Sequence, residues 1–194
     1  IFANARRAQQ TWGALSVRQR AQRLANAINP LMDRMDELAD LVVEENGKPR
    51  VEAVSHDVGG CIAQVRHLCG HAEGILAPER VSPAWMVHRT GEIRRDAYGL
   101  VVVISPWNLP LAIPFGQVFA GLIAGNAVVL KPSEVTPRIG AVIAEILANC
   151  NLPAGLFTVV QGDGRVGAEL IAARPDKVFF TGSVATGRKV MASA

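Results

Sequence analysis

Residues 105 to 115 read SPWNLPLAIPF, in which one amide, Asn108, stands among three prolines, a tryptophan and aliphatic side chains. It follows directly on the apolar run Leu100-Val101-Val102-Val103-Ile104. One polar amide held in an apolar, proline-stiffened turn calls for a reason beyond the local backbone. Lys131-Pro132-Ser133-Glu134 offers different chemistry, because a cationic donor close to a carboxylate acceptor suits the paired hydroxyls of a ribose. Gly162-Asp163-Gly164-Arg165-Val166-Gly167 matches the G-x-G-x-x-G pattern of dinucleotide-binding turns. Gly182-Ser183-Val184-Ala185-Thr186-Gly187 opens a further helix, whose free amides and dipole favour a pyrophosphate. The first three have a plainer alternative: a capped turn around Asn108, a solvated turn at Lys131 to Glu134, and a glycine-eased turn at Gly162 to Gly167. The last lacks the acidic residue expected about twenty positions on.

The elements that must position these residues follow from periodicity. From Gly99 onward strands and helices alternate: Leu100 to Ile104, a helix near Ile113 to Ala124, Ala127 to Leu130, and a helix from Pro137 to about Asn149. Phe157 to Val160, a helix near Arg165 to Ala173, Val178 to Thr181 and a helix from about Ala185 complete the run. Such units predict an α/β fold with a doubly wound parallel sheet covered on both faces. The G-x-G-x-x-G turn is then the third strand-helix turn of that sheet, whereas the usual fingerprint occupies the first. All four candidate loops fall beyond strand C-termini, where such sheets bind ligands. Upstream, Ser16-Val17-Arg18-Gln19 has the form of a capping box, and Asn46-Gly47-Lys48-Pro49 reads as a helix stop. A long third helix carries Val51, Val54, Val58, Ile62, Val65, Leu68, Ala72 and Ile75 and ends at Pro78. Thr136-Pro137 predicts an N-cap and first turn. Trp85 to Arg89 and Glu92 to Asp96, around Thr90-Gly91, predict a polar hairpin arm. The expected organisation is residues 1–80 as N-terminal helices, 81–98 as an oligomerisation-type arm and 99–194 as an incomplete cofactor-binding sheet.

Composition narrows the function classes. With 49% hydrophobic and 19% charged residues the chain is globular. The net charge of +3 is local, since residues 1 to 29 hold five arginines and no acid, and this reads as solvated helix faces with no nucleic-acid partner. No charge occurs between Asp96 and Lys131, but Pro106, Pro110, Pro114 and Gly125-Asn126 cut the segment into pieces too short for a membrane helix. Cys61, Cys69 and Cys150 have neither metal nor disulfide spacing, which predicts a reducing, cytoplasmic setting. His67 and His71, four apart, lack companions that would complete a metal site.

Five motifs in order, Pro106-Trp107-Asn108-x-Pro110, Ala124-Gly125-Asn126, Lys131-Pro132-Ser133-Glu134, Leu152-Pro153-Ala154-Gly155 and Phe180-Thr181-Gly182-Ser183, resemble the NAD(P)-dependent aldehyde dehydrogenases along the whole chain. The resemblance implies a Rossmann-like cofactor sheet, NAD or NADP as cofactor and a small-molecule aldehyde as substrate. It implies Asn108 as the oxyanion donor, and Lys131 and Glu134 on the adenosine ribose with Ser133 near its 2′ position. Gly182, Ser183 and Gly187 would meet the pyrophosphate and Gly164 the adenine side, with Ser105, Pro106, Trp107 and Phe180 completing the cofactor surface. Lys131 and Ser133 tolerate a 2′-phosphate, whereas Glu134 favours a free hydroxyl.

In the family a cysteine thiolate attacks the aldehyde and a glutamate activates water, and the resemblance places both beyond Ala194. The sequence therefore predicts a portion lacking the catalytic domain and inactive alone, or one half of a pair with a complementing catalytic chain. Uncovered sheet edges predict a homo-oligomer. The alternative is a noncatalytic nucleotide- or protein-binding module on the same fold.

Overall fold

The computed structural model describes residues 1–82, 85 and 88–194. A helical layer comes first: α1 (Phe2–Gly13), α2 (Val17–Leu24), α3 (Ile28–Asp33), α4 (Met35–Asn46), α5 (Arg50–Glu52) and α6 (Gly59–Leu76), with a π-helical turn over Ala53–Val58. The Ser16 capping box forms, with Ser16 Oγ accepting from Gln19 N at 3.2 Å and Gln19 Oε1 accepting from Ser16 N at 2.9 Å. Gly47 ends α4 at φ +79, a left-handed conformation that glycine adopts without a Cβ clash.

Four parallel strands follow, β3 (Leu100–Ile104), β4 (Ala127–Lys131), β5 (Phe157–Val159) and β6 (Lys177–Phe180), in the spatial order β5-β4-β3-β6. Every residue of β3 and β4 is buried, which requires cover on both faces, while the outer strands β5 and β6 are half-buried. The connecting and terminal helices are α7 (Ala112–Ile123), α8 (Pro137–Ala148), α9 (Gly164–Ala172) and α10 (Val184–Ser193). The chain steps outward from β3 through β4 to β5, then crosses back to lay β6 on the other side of β3. That reversal makes a topological switch point between β3 and β6, the place where doubly wound sheets bind ligands. Ile104 is level with both Lys131 and Phe180, so the loops after all three strands leave the same edge.

Three local expectations change. The arm pairs β1 (Glu79–Val81) antiparallel with β2 (Gly91–Ile93), so Gly91 stands in a strand opposite Val81 rather than in the turn. A Cβ on Gly91 would lie 2.8 Å from Val81 Cγ2, which is why glycine is accepted there. Residues 83, 84, 86 and 87 of the expected arm, the last two within its expected first strand, lie outside the described residues. Thr136 stands at the N-cap of α8 but makes no side-chain capping bond. Glu45 on α4 does this instead, its two oxygens accepting from Arg138 N at 2.9 Å and Ile139 N at 3.0 Å, because a carboxylate is the stronger acceptor for helix N-terminal amides. Arg20, expected on a solvated face, is buried and donates from Nε to Ile123 O at 2.9 Å and from Nη1 to Leu15 O. Burial pushes its guanidinium below the ordinary arginine pKa. Among the described residues no helix is long and apolar enough to cross a membrane.

The start of β3 is tied to β6 and α1 through Asp176, whose Oδ2 accepts from Arg6 Nη1 at 2.6 Å and Leu100 N at 2.7 Å. The Arg6 hydrogen bond chiefly, with the Leu100 amide, holds this carboxyl below its ordinary value of 3.8. A depressed folded-state pKa gives stability that is present above 3.8 and lost as pH falls through the folded value. Asp176→Asn is therefore expected to lower Tm at pH 7, with the gap to the unaltered protein closing below about pH 4; thermal melts across pH 2 to 8 check this.

Candidate functional site

The four loops expected to converge do share one end of the sheet, and their contacts form two clusters. The first is built on Lys131, the last residue of β4, whose side chain is only 5% exposed. Its ammonium donates to Pro132 O at 2.7 Å and Gly162 O at 2.6 Å, and meets Glu134 Oε2 at 3.5 Å. Those bonds join the loops after β4 and β5. Glu134 itself is 57% exposed, so its carboxylate faces solvent beside a buried cation. Ser133 is buried, with Oγ accepting from Val135 N at 3.3 Å.

The glycines of the 162 to 167 turn serve this arrangement. Gly162 has φ +149, and a Cβ there would collide with the Val166 side chain. A Cβ on Gly167 would come 3.5 Å from Lys131 Cδ, so the first turn of α9 lies over the lysine stem. Asp163 caps α9, accepting from Arg165 N at 2.9 Å, and Gly164 opens the helix with free space where its Cβ would be. After β6, Ser183 caps α10 by accepting from Thr186 N at 3.2 Å. The Phe180 ring occupies the room left by Gly182 and Gly187, where Cβ atoms would lie 2.6 and 3.3 Å from it.

The second cluster surrounds Asn108. Ser105 is buried, with an Oγ that has no hydrogen-bond partner among the described residues, while Pro106 is half-buried and Trp107 is 54% exposed. Asn108 is exposed, and no described residue bonds its side-chain amide. Its backbone is gripped instead. Asn46 Nδ2 donates to Trp107 O at 2.7 Å, and Lys48 Nζ donates to Asn108 O at 2.8 Å. Lys48 also pairs with Asp57 at 2.6 Å, and Asp57 Oδ1 accepts from Leu111 N at 3.1 Å and Ala112 N at 3.2 Å. Beside this turn an apolar groove of about 1080 Å³ runs between α6 and α7, lined by Leu68, Leu109, Ile113 and Gly116 among others, with Gln64 and Thr181 also in its wall. Gln117 Nε2 donates to Thr181 Oγ1 at 2.9 Å, linking α7 to the loop after β6.

Asn46, Lys48, Asp57 and Gln117 were not legible as site residues from their motifs. The helix stop at Gly47-Lys48-Pro49 hides a lysine, and the one signal for Asp57 is an acid on the apolar stripe Val54, Val58, Cys61, Val65. The exposed rings of His67 and His71 stack at 4.6 Å, and His71 Nδ1 lies 2.8 Å from His67 O.

A family model described as the aldehyde dehydrogenase family matches residues 1–194. This chain belongs to the aldehyde dehydrogenase family. It is 41% identical over 195 residues to the 4,4'-diapolycopene aldehyde oxidase of a Methylomonas species, with all of this chain and 37% of that protein covered. PnpE from Pseudomonas sp. WBC-3, solved in complex with nicotinamide adenine dinucleotide, superposes with TM-score 0.89 at 31% identity over 98% of this chain and 39% of that one. An NAD-dependent benzaldehyde dehydrogenase from Corynebacterium glutamicum superposes with TM-score 0.88 at 30% identity, covering 100% and 42%. The chain thus spans about two fifths of the length of these three proteins.

None of the three thiols is disposed to ionise at neutral pH. Burial, with the nearby Asp57 charge, pushes Cys61 well above the ordinary value, and burial pushes Cys69 up to about 11 and Cys150 up to about 12. The thiolate is the reactive form, so all three are poor nucleophiles. Iodoacetamide at pH 8 is expected to leave Cys61 and Cys150 unmodified in the folded protein and to alkylate all three cysteines in guanidinium chloride, as peptide mass spectrometry can read.

Proposed function

We propose that this chain is the NAD(P)-binding portion of an enzyme that oxidises an apolar aldehyde to its carboxylic acid. The observation that carries the reading is the pairing of a buried Lys131 ammonium with an exposed Glu134 carboxylate at the C-terminal end of β4, the strand next to the switch-point strand β3. Two of the lysine's protons go to carbonyls at 2.6 and 2.7 Å, and the third reaches Glu134 only at 3.5 Å. A ribose hydroxyl can take that third proton while Glu134 accepts from its neighbour. Ser133 lies between them in sequence, near the 2′ position. The α10 N-terminus, flanked by Gly182 and Gly187, with Ser183 as a neutral cap and no acid in its first turn, suits a pyrophosphate. Ser105, Pro106, Trp107, Phe180 and Gly164 complete the cofactor surface in this reading.

NAD(P), when bound, supplies the hydride acceptor. Asn108 donates from Nδ2 to the aldehyde oxygen as negative charge grows there, and the groove beside Leu109 and Ile113 takes the rest of the substrate. The apolar groove agrees with the names of two relatives, an oxidase of 4,4'-diapolycopene aldehyde and a benzaldehyde dehydrogenase. With three protonated thiols here, the reading assigns the nucleophile and the water-activating carboxylate to sequence outside residues 1–194. The exposed β1–β2 arm, with Val81 and Ile93 on its surface, fits a homo-oligomer, and three free cysteines fit a reducing, cytoplasmic setting.

Calorimetric titration with NAD and NADP tests the cofactor site. Hydrogen bonds to charged groups contribute about 1.5–3 kcal/mol, so Lys131→Ala and Glu134→Gln are each expected to weaken NAD binding about ten- to a hundred-fold. Glu134→Gln also removes the charge that repels a 2′-phosphate and should shift preference toward NADP. Absence of saturable NAD(P) binding to the folded protein overturns the reading in favour of a noncatalytic module.

A further inference from the structure

Asp57 is fully buried, and every acceptor position it uses serves the turn that carries Asn108 or the helix that follows it. Oδ2 takes the Lys48 ammonium at 2.6 Å, and Oδ1 takes the first amides of α7, Leu111 N and Ala112 N, at 3.1 and 3.2 Å. Lys48, with its side chain 9% exposed, spans from that carboxylate to Asn108 O, while Asn46 holds Trp107 O. Carbonyls 107 and 108 on one side, and amides 111 and 112 on the other, are therefore fixed to the segment from the end of α4 to the π-helical turn. Pro110 stiffens φ between these anchors, and Pro106 does so just before them. Asn108 is the residue at the centre, and its own side chain has no partner among the described residues. The backbone anchors fix where its Cα–Cβ bond points, and so the region its amide can reach.

A buried ion pair is a weak device for stability, because desolvation offsets most of the attraction and apolar residues of the same volume do as well or better. Its better-attested use is to fix register. Its carboxylate, Asp57, sits in a π-helical turn, a form found often at functional sites. The groove residue Leu109 follows Asn108 directly, so any slip of this turn moves donor and groove wall together.

We propose that Lys48 and Asp57 are positioning residues that fix the Asn108 amide for reaction, acting through the backbone on either side of it. The inference rests on the reading of Asn108 as the oxyanion donor, and a double-mutant cycle separates the two. The protein is expressed from its whole reading frame. kcat/KM for an aldehyde and the dissociation constant for NAD are measured for Lys48→Met, Asn108→Ala and the combination.

Asn108→Ala is expected to lower kcat/KM about a hundred- to a thousand-fold. Misplacement of a reacting group by about 1 Å costs up to about a hundred-fold, so Lys48→Met is expected to lower kcat/KM by about ten- to a hundred-fold with NAD binding unchanged. In the Asn108→Ala background it should cost less than about threefold more, because a donor that is absent cannot be misplaced. If Asn108→Ala leaves kcat/KM intact, the oxyanion reading fails and this inference with it. If Asn108→Ala is impaired but Lys48→Met is normal, or the two losses multiply in full, only the positioning role fails. Should Lys48→Met not fold, the pair Lys48→Met with Asp57→Asn removes both charges while an amide oxygen still accepts from Leu111 N and Ala112 N, and it enters the same cycle. Failure of that pair to fold assigns Lys48 and Asp57 to folding and overturns the proposal.

Discussion

The helix α7 has no side-chain cap of its own, and the molecule is arranged around supplying caps from elsewhere. Its residues are apolar on nearly every side, and eight of its twelve positions are buried, so water cannot serve its end groups. Asp57 takes the amides at one end. At the other, Trp12 Nε1 donates to Leu122 O at 2.7 Å, Arg20 Nε to Ile123 O at 2.9 Å, and Asn126 Nδ2 to Gly121 O at 2.9 Å. Three separate parts of the chain, α1, α2 and the π-helical turn, thus converge on one helix. A negative charge at its N-terminus and a positive one at its C-terminus also agree with its dipole. The N-terminal helices are therefore the source of α7's buried polar partners, and they set its position against β3 and β4.

That debt explains the order of the architecture. The strand β3 delivers the Asn108 turn and α7 at the switch point, β4 delivers Lys131 one strand away, and β6 closes the other side. Because Ile104, Lys131 and Phe180 stand level across the sheet, chemistry placed at any of the three strand ends faces the same crevice. The same logic recurs at α8, whose first amides are taken by Glu45 from α4. Two sheet-covering helices are each capped by a carboxylate from the helical layer, so the layer and the sheet are matched by polar registration as well as by apolar packing.

Much of this was legible in the sequence, and the boundary of legibility has a physical cause. Strands and helices after Gly99 follow from apolar runs, prolines and glycines, and the predicted ends of Leu100 to Ile104 coincide with β3. The residues Asn108, Lys131 and Glu134 stand out because their types are rare in an apolar setting. Contacts over long sequence separations leave no such trace: Arg20 to Ile123, Glu45 to Arg138 and Asp57 to Leu111 join residues that no local pattern relates. The misplaced hairpin register has a different origin. Gly91 was read as a turn because of its freedom of φ, whereas the structure uses it for lack of a side chain against Val81.

The turn from Gly162 to Gly167 shows how the same glycine spacing can serve an opposite charge. A pyrophosphate turn must present amide N–H groups to an anion. Here Gly162 presents its carbonyl to the Lys131 ammonium at 2.6 Å, Asp163 adds a carboxylate at the α9 N-terminus, and Gly167 lies beside the lysine stem. The loop's polar groups near the sheet are thus acceptors for a cation, and the Asp163 carboxylate occupies the helix start that a phosphate would need. After β6 the signs are reversed: Ser183 is a neutral cap, and α10 has no acid in its first turn. The two turns therefore differ in charge, acidic at the start of α9 and neutral at the start of α10, a difference that glycine spacing alone does not reveal.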